Sequence, residues 1–239
     1  MRGRPRMWDH DYLHLRPLAE DLRVRLATWG RPGGPSRILD LGSGGAPYRD
    51  LVGASSGGYV RCDADRTFRP EVAGRAERLP FAEGVFDAVL CTQVLELVSD
   101  PGETVREIGR VLASGGIVCL TTPGAYPYDS PVPGHRFGER QLRELFSGLT
   151  VIEILPQGGM MAAPFLLANV AAREVVLAAR RRIGGAAVVL RPVAGAIHLV
   201  SNACGRLLEI LASHGPLAPF LGALNRRFPM NFLVLAVKP

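Results

Sequence analysis

SRILDLGSGGAPY, residues 36–48, runs from a short apolar strand to Asp40 and then breaks into the glycine-rich turn Gly42-Ser43-Gly44-Gly45. Glycine has no Cβ, so such a turn takes positive φ and lets a ligand lie against bare backbone. A turn of this kind between a buried strand and a helix is a place to hold a nucleotide-like cofactor. A dinucleotide fingerprint fails here, because its last position, counted from Gly42, falls on Pro47. Asp40 would also repel a phosphate brought to the same turn, so a cationic or zwitterionic ligand suits these residues better.

Downstream, GYVRCDAD (58–65) reads as a second strand ending on Asp63. That places a carboxylate roughly twenty residues past the turn, where it takes ribose hydroxyls. Asp65 competes for this role, and strand placement favours Asp63. The apolar runs at 85–91 and 116–122 lack strict alternation, as strands buried on both faces of a parallel sheet do. Between them the signals spell a helix: Asp100 as cap, Pro101 in the first turn, Glu103 for a capping box, and Val105, Ile108 and Leu112 as the apolar stripe. Gly115 and Gly116 are expected to end it. Upstream, Pro17 suits the first position of an amphipathic helix over 17–28, with Leu18, Leu22 and Leu26 at helical spacing. This helix is expected to pack over the cofactor edge.

PGAYPYDSPVPGHRFG (123–138) is a Pro- and Gly-rich loop leaving the carboxyl end of a strand, the side on which open α/β sheets bind ligands. It is a good place for acceptor contacts. A short helix over 139–147 and a sixth strand over 150–155 follow. Residues 158–227 differ in composition, rich in Ala, Leu, Val and Ile and broken by Gly and Pro; they read as two or three helices inserted before the last strand.

In order and content these segments resemble the class I S-adenosylmethionine-dependent methyltransferases, and within them the type 11 group. AERLPFAEGVFDAVLCTQVL (76–95) looks like that group's adenine loop and fourth strand, DPGETVREIGRVLASGGIVCLTTPG (100–124) like its next helix and fifth strand, and NFLVLAVKP (231–239) like its closing strand. The resemblance implies an α/β fold: a Rossmann-like, seven-stranded, mostly parallel sheet with helices on both faces, the last strand antiparallel, and an α-helical insert before it. Residues 1–35 would be an N-terminal helical cover, 36–157 the cofactor-binding core, 158–227 an acceptor cover, and 228–239 the final strand of the core. The cofactor would be S-adenosylmethionine, held by Asp40, Gly42, Ser43, Gly44, Asp63, Ala64, Ala76, Glu77, Thr92 and Gln93. Asp40 would orient the glycine turn through its N–H groups and lie near the ligand's ammonium. Two positions depart from the group's pattern. Arg75 stands where an Asp commonly precedes Ala-Glu, leaving the adenine amine to backbone near Ala76 or to Glu77, and Leu97 stands where a His commonly follows Leu-Glu.

The activity implied is methylation of a small-molecule acceptor, most simply on oxygen of a sugar, lipid-linked or secondary-metabolite substrate. Two rival readings are a membrane-associated quinone or lipid methyltransferase and a non-catalytic cofactor-binding subunit. Methyl transfer from a sulfonium needs alignment in a dry pocket more than a dedicated base. His135, in the loop after the fifth strand, is the candidate general base, with an ordinary loop histidine as the other reading.

At 239 residues the chain suits one α/β domain with an elaboration. The net charge of +6 is carried almost wholly by arginine, without basic runs interleaved with aromatics, so nucleic acid is not an expected partner. Cys62, Cys91, Cys119 and Cys204 stand singly and read as small apolar residues. His10 and His14 have a four-residue spacing but no third ligand nearby, and no metal is expected. MRGRPRMWDHDYLH lacks an apolar core, so a cytoplasmic location is expected. The insert is expected to touch a membrane surface at most, since a helix starting at Pro164 meets Arg173 after little more than two turns.

Overall fold

The computed structural model describes residues 3–29, 33–52, 58–125, 134–214 and 218–239. Seven strands, β1 (Arg37–Leu41), β2 (Gly58–Asp63), β3 (Val72–Ala73), β4 (Phe86–Thr92), β5 (Leu112–Pro123), β6 (Thr150–Gln157) and β7 (Asn231–Val237), form one sheet in the order β3-β2-β1-β4-β5-β7-β6. β1 pairs in parallel with both β2 and β4, and β4 in parallel with β5, whereas β7 runs antiparallel to β5. The strand order therefore reverses at β1, and the crevice at the carboxyl ends of β1 and β4 is the switch point where such sheets bind ligands.

The central strands bury both faces. Ile38 to Leu41 and Ala88 to Cys91 are fully enclosed, which is why these runs are apolar without alternation. After the one-turn helix α2 (Arg49–Val52), helix α3 (Pro101–Val111) lays Val105, Ile108 and Val111 on the same core, and α4 (Glu139–Leu145) adds Leu142 to it. Asp100 caps it by accepting from the Glu103 N–H at 2.9 Å, a contact worth about 1 kcal/mol. Glu103 itself turns outward to Arg106 rather than closing a capping box. The helix also stops earlier than its glycines suggest. Leu112 is already extended, and Gly115 and Gly116 lie within β5, where Gly115 N–H donates to Lys238 O at 2.9 Å. A Cβ on Gly116 would sit 2.8 Å from Ala113 O, so glycine is required there by the strand's own bend rather than by a helix end.

The chain divides into two compact units, one of residues 20–156 and 231–239 containing the sheet, the other of residues 1–19 and 157–230. The expected partition into a cover of 1–35 and an insert of 158–227 is thus redrawn: residues 1–19 belong with the insert. Helix α1 (Tyr12–Leu26) starts before Pro17, because Asp9 O and Asp11 O accept from Tyr12, His14 and Leu15 N–H groups and open the helix there. Leu18, Leu22 and Leu26 are buried as their spacing predicts.

In the second unit, α5 (Ala163–Ile183), a 3-10 segment over 184–190, α6 (Arg191–His214) and α7 (Ala218–Arg227) realise the expected helices. α5 and α6 are joined by a buried polar chain. Asn169 Nδ2 donates to Asn202 Oδ1 at 2.7 Å, His198 Nδ1 lies 3.3 Å from Asn169 Oδ1, and Asn202 Nδ2 donates to Met7 O and Asp9 O. Burial, aided by His10, lowers the His198 pKa and keeps the ring neutral. His10 therefore faces His198 within the helical unit.

Candidate functional site

The glycine turn is held by its neighbour strand. Gly42 and Ser43 N–H groups reach Cys62 O at 2.8 and 3.4 Å, and Gly44 N–H donates to Asp63 Oδ2 at 2.7 Å. Asp63 Oδ1 also accepts from Asp65 N–H at 2.8 Å. The turn-orienting carboxylate is thus Asp63, not Asp40. Asp40 lies buried on β1 and accepts from the Tyr59 hydroxyl across the β1–β2 pair. Its burial pushes its pKa up to about 7, against the opposing pull of the Tyr59 hydrogen bond. Repulsion of a phosphate by Asp40 is accordingly weaker than the sequence suggests, and the negative charge facing the turn is that of Asp63. Ala64, next along, is exposed, and Asp65 caps a one-turn 3-10 helix by accepting from Thr67 N–H at 2.9 Å.

Backbone strain gathers at this edge. Gly42, Gly44 and Ala46 have φ of 65°, 47° and 50°, and Gln93, just past β4, has φ of 55°. Non-glycine residues in this region cost of order 1–3 kcal/mol and concentrate at ligand sites. A Cβ on Gly44 or Gly45 would meet nothing within 4 Å, leaving bare backbone toward open space, whereas one on Gly42 would collide with Val94. The Ser43 hydroxyl is buried and has no hydrogen-bond partner among the described residues.

The loop expected to frame the adenine is fastened by residues whose roles sequence reasoning missed. Leu79 N–H donates to Glu107 Oε2 at 2.7 Å, while Arg110 donates to Leu79 O and Phe81 O at 3.0 and 2.8 Å and to Glu107 at 2.6 Å. Two residues three apart on α3 thereby latch the loop; the i,i+3 spacing was visible, its target was not. The Ala76 side chain is buried in the core, so only its backbone can meet a ligand. Glu77 Oε1 accepts from Ser99 N–H, Ser99 Oγ and Arg75 at 2.9, 2.6 and 3.2 Å. Burial alone would raise its pKa, but these donors more than offset it and hold the carboxyl at about 2. Glu77 is a clamp between this loop and the one after β4, and Arg75, in the place of the usual Asp, completes it.

At the carboxyl ends of β4 and β5 the sheet becomes polar. Thr92, Thr121, Thr122 and Asn231 are buried, and Gln93 Nε2 reaches Thr121 Oγ1 and Asn231 Oδ1 at 3.4 and 3.3 Å. Glu96, which the sequence marks only as the neighbour of Leu97, is also buried and accepts from Thr122 Oγ1 at 3.4 Å. His135 is drawn to the same loop. Its N–H donates to Glu96 O at 2.8 Å, and its Nε2 lies 3.1 Å from Val98 O. A carbonyl only accepts, so Nε2 carries the proton and Nδ1 is left as acceptor. Residues 126–133 of the expected acceptor loop lie outside the described residues.

These residues fit S-adenosylmethionine: a bare-backbone turn, a partnerless buried hydroxyl beside it, and a carboxylate with lone pairs beyond the two it spends on backbone. Asp63→Ala removes a turn anchor together with the carboxylate expected to accept from ribose, and is expected to weaken cofactor binding in calorimetry by about 3 kcal/mol, roughly a hundredfold. Asp65→Ala loses only the cap of a one-turn helix and should leave cofactor affinity nearly unchanged. The reverse ranking in affinity would move the ribose site to Asp65.

Residues 39–120 match the family model described as a methyltransferase domain. The chain is 40% identical over 99 residues to a demethylmenaquinone methyltransferase of Mycolicibacterium vanbaalenii, covering 36% of this chain and 43% of that protein. It is 36% identical over 120 residues to one of Mycobacterium tuberculosis, covering 44% and 51%. The chain thus spans about half the length of these curated relatives. Among solved structures, the 4+2 cyclase SpnF superposes with a TM-score of 0.58 at 19% identity, over 94% of this chain and 83% of that one. A putative sarcosine dimethylglycine methyltransferase from Galdieria sulphuraria does so with 0.54 at 15% identity, over 96% and 84%. These two likenesses speak for the fold alone. The strand order, the glycine turn and the match of residues 39–120 to the methyltransferase domain together support the resemblance to the class I S-adenosylmethionine-dependent methyltransferases of type 11.

Proposed function

We propose that this protein transfers a methyl group from S-adenosylmethionine to an oxygen of a small-molecule acceptor, a sugar, lipid-linked or secondary-metabolite substrate. The observation that carries the reading is the strained glycine turn bound to Asp63 at the switch point of the sheet. S-adenosylmethionine, when bound, supplies a sulfonium methyl whose transfer is an in-line displacement. The chain's part is largely positional. Asp63 fixes the turn and offers an acceptor to ribose, and the latch of Glu107 and Arg110 fixes the adenine loop. The polar strand ends at Gln93, Thr121 and Asn231 offer hydrogen bonds to a hydroxyl-bearing acceptor. His135, with Nε2–H tied to Val98 O, presents Nδ1 to take a hydroxyl proton.

A second reading, methylation of a quinone, is favoured by the printed names of the relatives. Incubation with methyl-labelled cofactor and either a host extract or demethylmenaquinone, followed by mass spectrometry, separates the two. Label on oxygen of an extract component supports the first reading and label on the quinone the second. Cofactor binding with no labelled product in any extract would favour a binding subunit. His135→Ala is expected to lower turnover roughly a hundredfold, the ordinary scale of general-base catalysis, with cofactor affinity unchanged. Unchanged turnover would return His135 to a purely structural role.

A further inference from the structure

We infer that the α5–α6 hairpin is a docking surface for an anionic lipid bilayer, lying in the plane of the headgroups rather than crossing the membrane. Between Ile183 and Leu211 eleven large apolar side chains are exposed, Val189 at 69% and Val200 at 62% among them. Soluble surfaces rarely leave so continuous an apolar face uncovered. On α6 the exposed set Val193, Ile197, Val200, Cys204, Leu207 and Leu211 recurs at three- and four-residue spacing over about 27 Å of helix. Leu199, Leu208 and Ile210 widen this stripe to about half the helix circumference.

That width selects the occupant. A second copy pairing through a heptad seam would need a narrow stripe flanked by charges that set register. Here the flanks are apolar, and the two charges of α6 beyond Arg191, Arg206 and Glu209, are paired with each other at 2.8 Å on the other side of the helix, where Arg16 also joins them. A bilayer accepts a wide apolar face without such flanks, and sinks it some 5–10 Å into the headgroup and acyl boundary.

Charge supplies the second argument. The tip of the hairpin is the apolar run 183–190, with Val188 and Val189 exposed, and it is bracketed by Arg180, Arg181 and Arg182 on one side and Arg191 on the other. From Ala163 to Gly205 there are five arginines against the single Glu174. A basic collar around an apolar tip complements anionic headgroups over an acyl interior. By length and composition alone Ala163–His214, which contains an 18-residue window of mean hydropathy 1.7, could cross a membrane. Crossing as a hairpin would carry the four tip arginines through hydrocarbon, a costly passage, whereas lying in the plane leaves them at the phosphates. The opposite side of α6, with His198 and Asn202, is already occupied by Asn169, Met7 and Asp9 within the same unit.

This inference does not rest on the identity of the acceptor. The test is flotation of the full chain with vesicles of mixed phosphatidylglycerol and phosphatidylcholine, and with phosphatidylcholine alone, at low and high salt. The wild-type chain should float with the anionic vesicles, less so at high salt. Replacing Arg180, Arg181 and Arg182 by Gln should lower its partition coefficient roughly a hundredfold. Val188→Asp with Val189→Asp should abolish insertion. These tip positions are exposed, and unchanged circular dichroism and S-adenosylmethionine binding would show that the variants remain folded. Equal flotation of the arginine variant overturns the proposal. So does a sedimentation dimer that Val200→Glu disperses, with no flotation, since that outcome assigns the face to a second copy. Resistance to alkaline carbonate extraction overturns it in favour of a spanning hairpin.

Discussion

Gly42→Ala is expected to destabilise the fold by about 3 kcal/mol and to abolish cofactor binding, because two costs add at this residue. Its φ of 65° disfavours any L side chain, and a Cβ there would lie 2.2 Å from Val94 Cγ2, far inside contact distance. Val94 is partly buried and packs against the core, so its displacement would disturb that packing. Gly44→Ala separates the two costs. That residue has a similar φ of 47°, but its Cβ would meet nothing within 4 Å, so it should lose only the backbone penalty of about 1–2 kcal/mol. Val94→Ala in the Gly42→Ala background should recover the steric part and not the rest. Denaturant melts of the four proteins read these differences directly. Equal losses for Gly42→Ala and Gly44→Ala would mean that the turn relaxes away from Val94.

Asp40→Asn should stabilise the protein at pH 8 by about 2–4 kcal/mol and flatten its stability profile between pH 4 and 7. Burial raises the Asp40 pKa from 3.8 to about 7. In that window the folded chain therefore holds a proton that the unfolded chain has released. Stability is greater at the acid end, falls as pH rises through the folded value, and is level above it. Asparagine keeps an acceptor for the Tyr59 hydroxyl and has no charge to desolvate. Urea denaturation at intervals of pH tests this, and an unchanged slope in the variant would assign the dependence to another group.

Much of the fold was legible because its signals are local. The glycine turn, the uninterrupted apolar strands and the Asp100-Pro101 helix start depend on residues a few positions apart, and each appears where the sequence places it. The misreadings came from signals with two uses. Pro17 can open a helix or be tolerated early inside one, and the backbone bonds from Tyr12, His14 and Leu15 to Asp9 O and Asp11 O decided the latter. Gly115 and Gly116 can stop a helix or bend a strand, and pairing of β5 with Lys238, more than a hundred residues away, decided that case. Within the site, spacing set Asp63 at the end of β2 beside the turn, whereas the latch of Glu107 and Arg110 and the buried Glu96 were not legible, since a polar side chain names no target until the chain is folded.

The sequence by itself therefore determined the class of sheet, the glycine turn, and the carboxylate set beside it, because Cβ sterics and strand periodicity act within a few residues. Tertiary structure alone decided that Asp63 rather than Asp40 binds the turn, that Tyr59 takes Asp40, that Glu77 clamps Ser99, and that one whole face of α6 stays uncovered. Each of these depends on strand register or on the choice among competing partners. A carboxylate takes the donors that burial brings to it, and a helix face stays bare when the other face has been used, which no local pattern records.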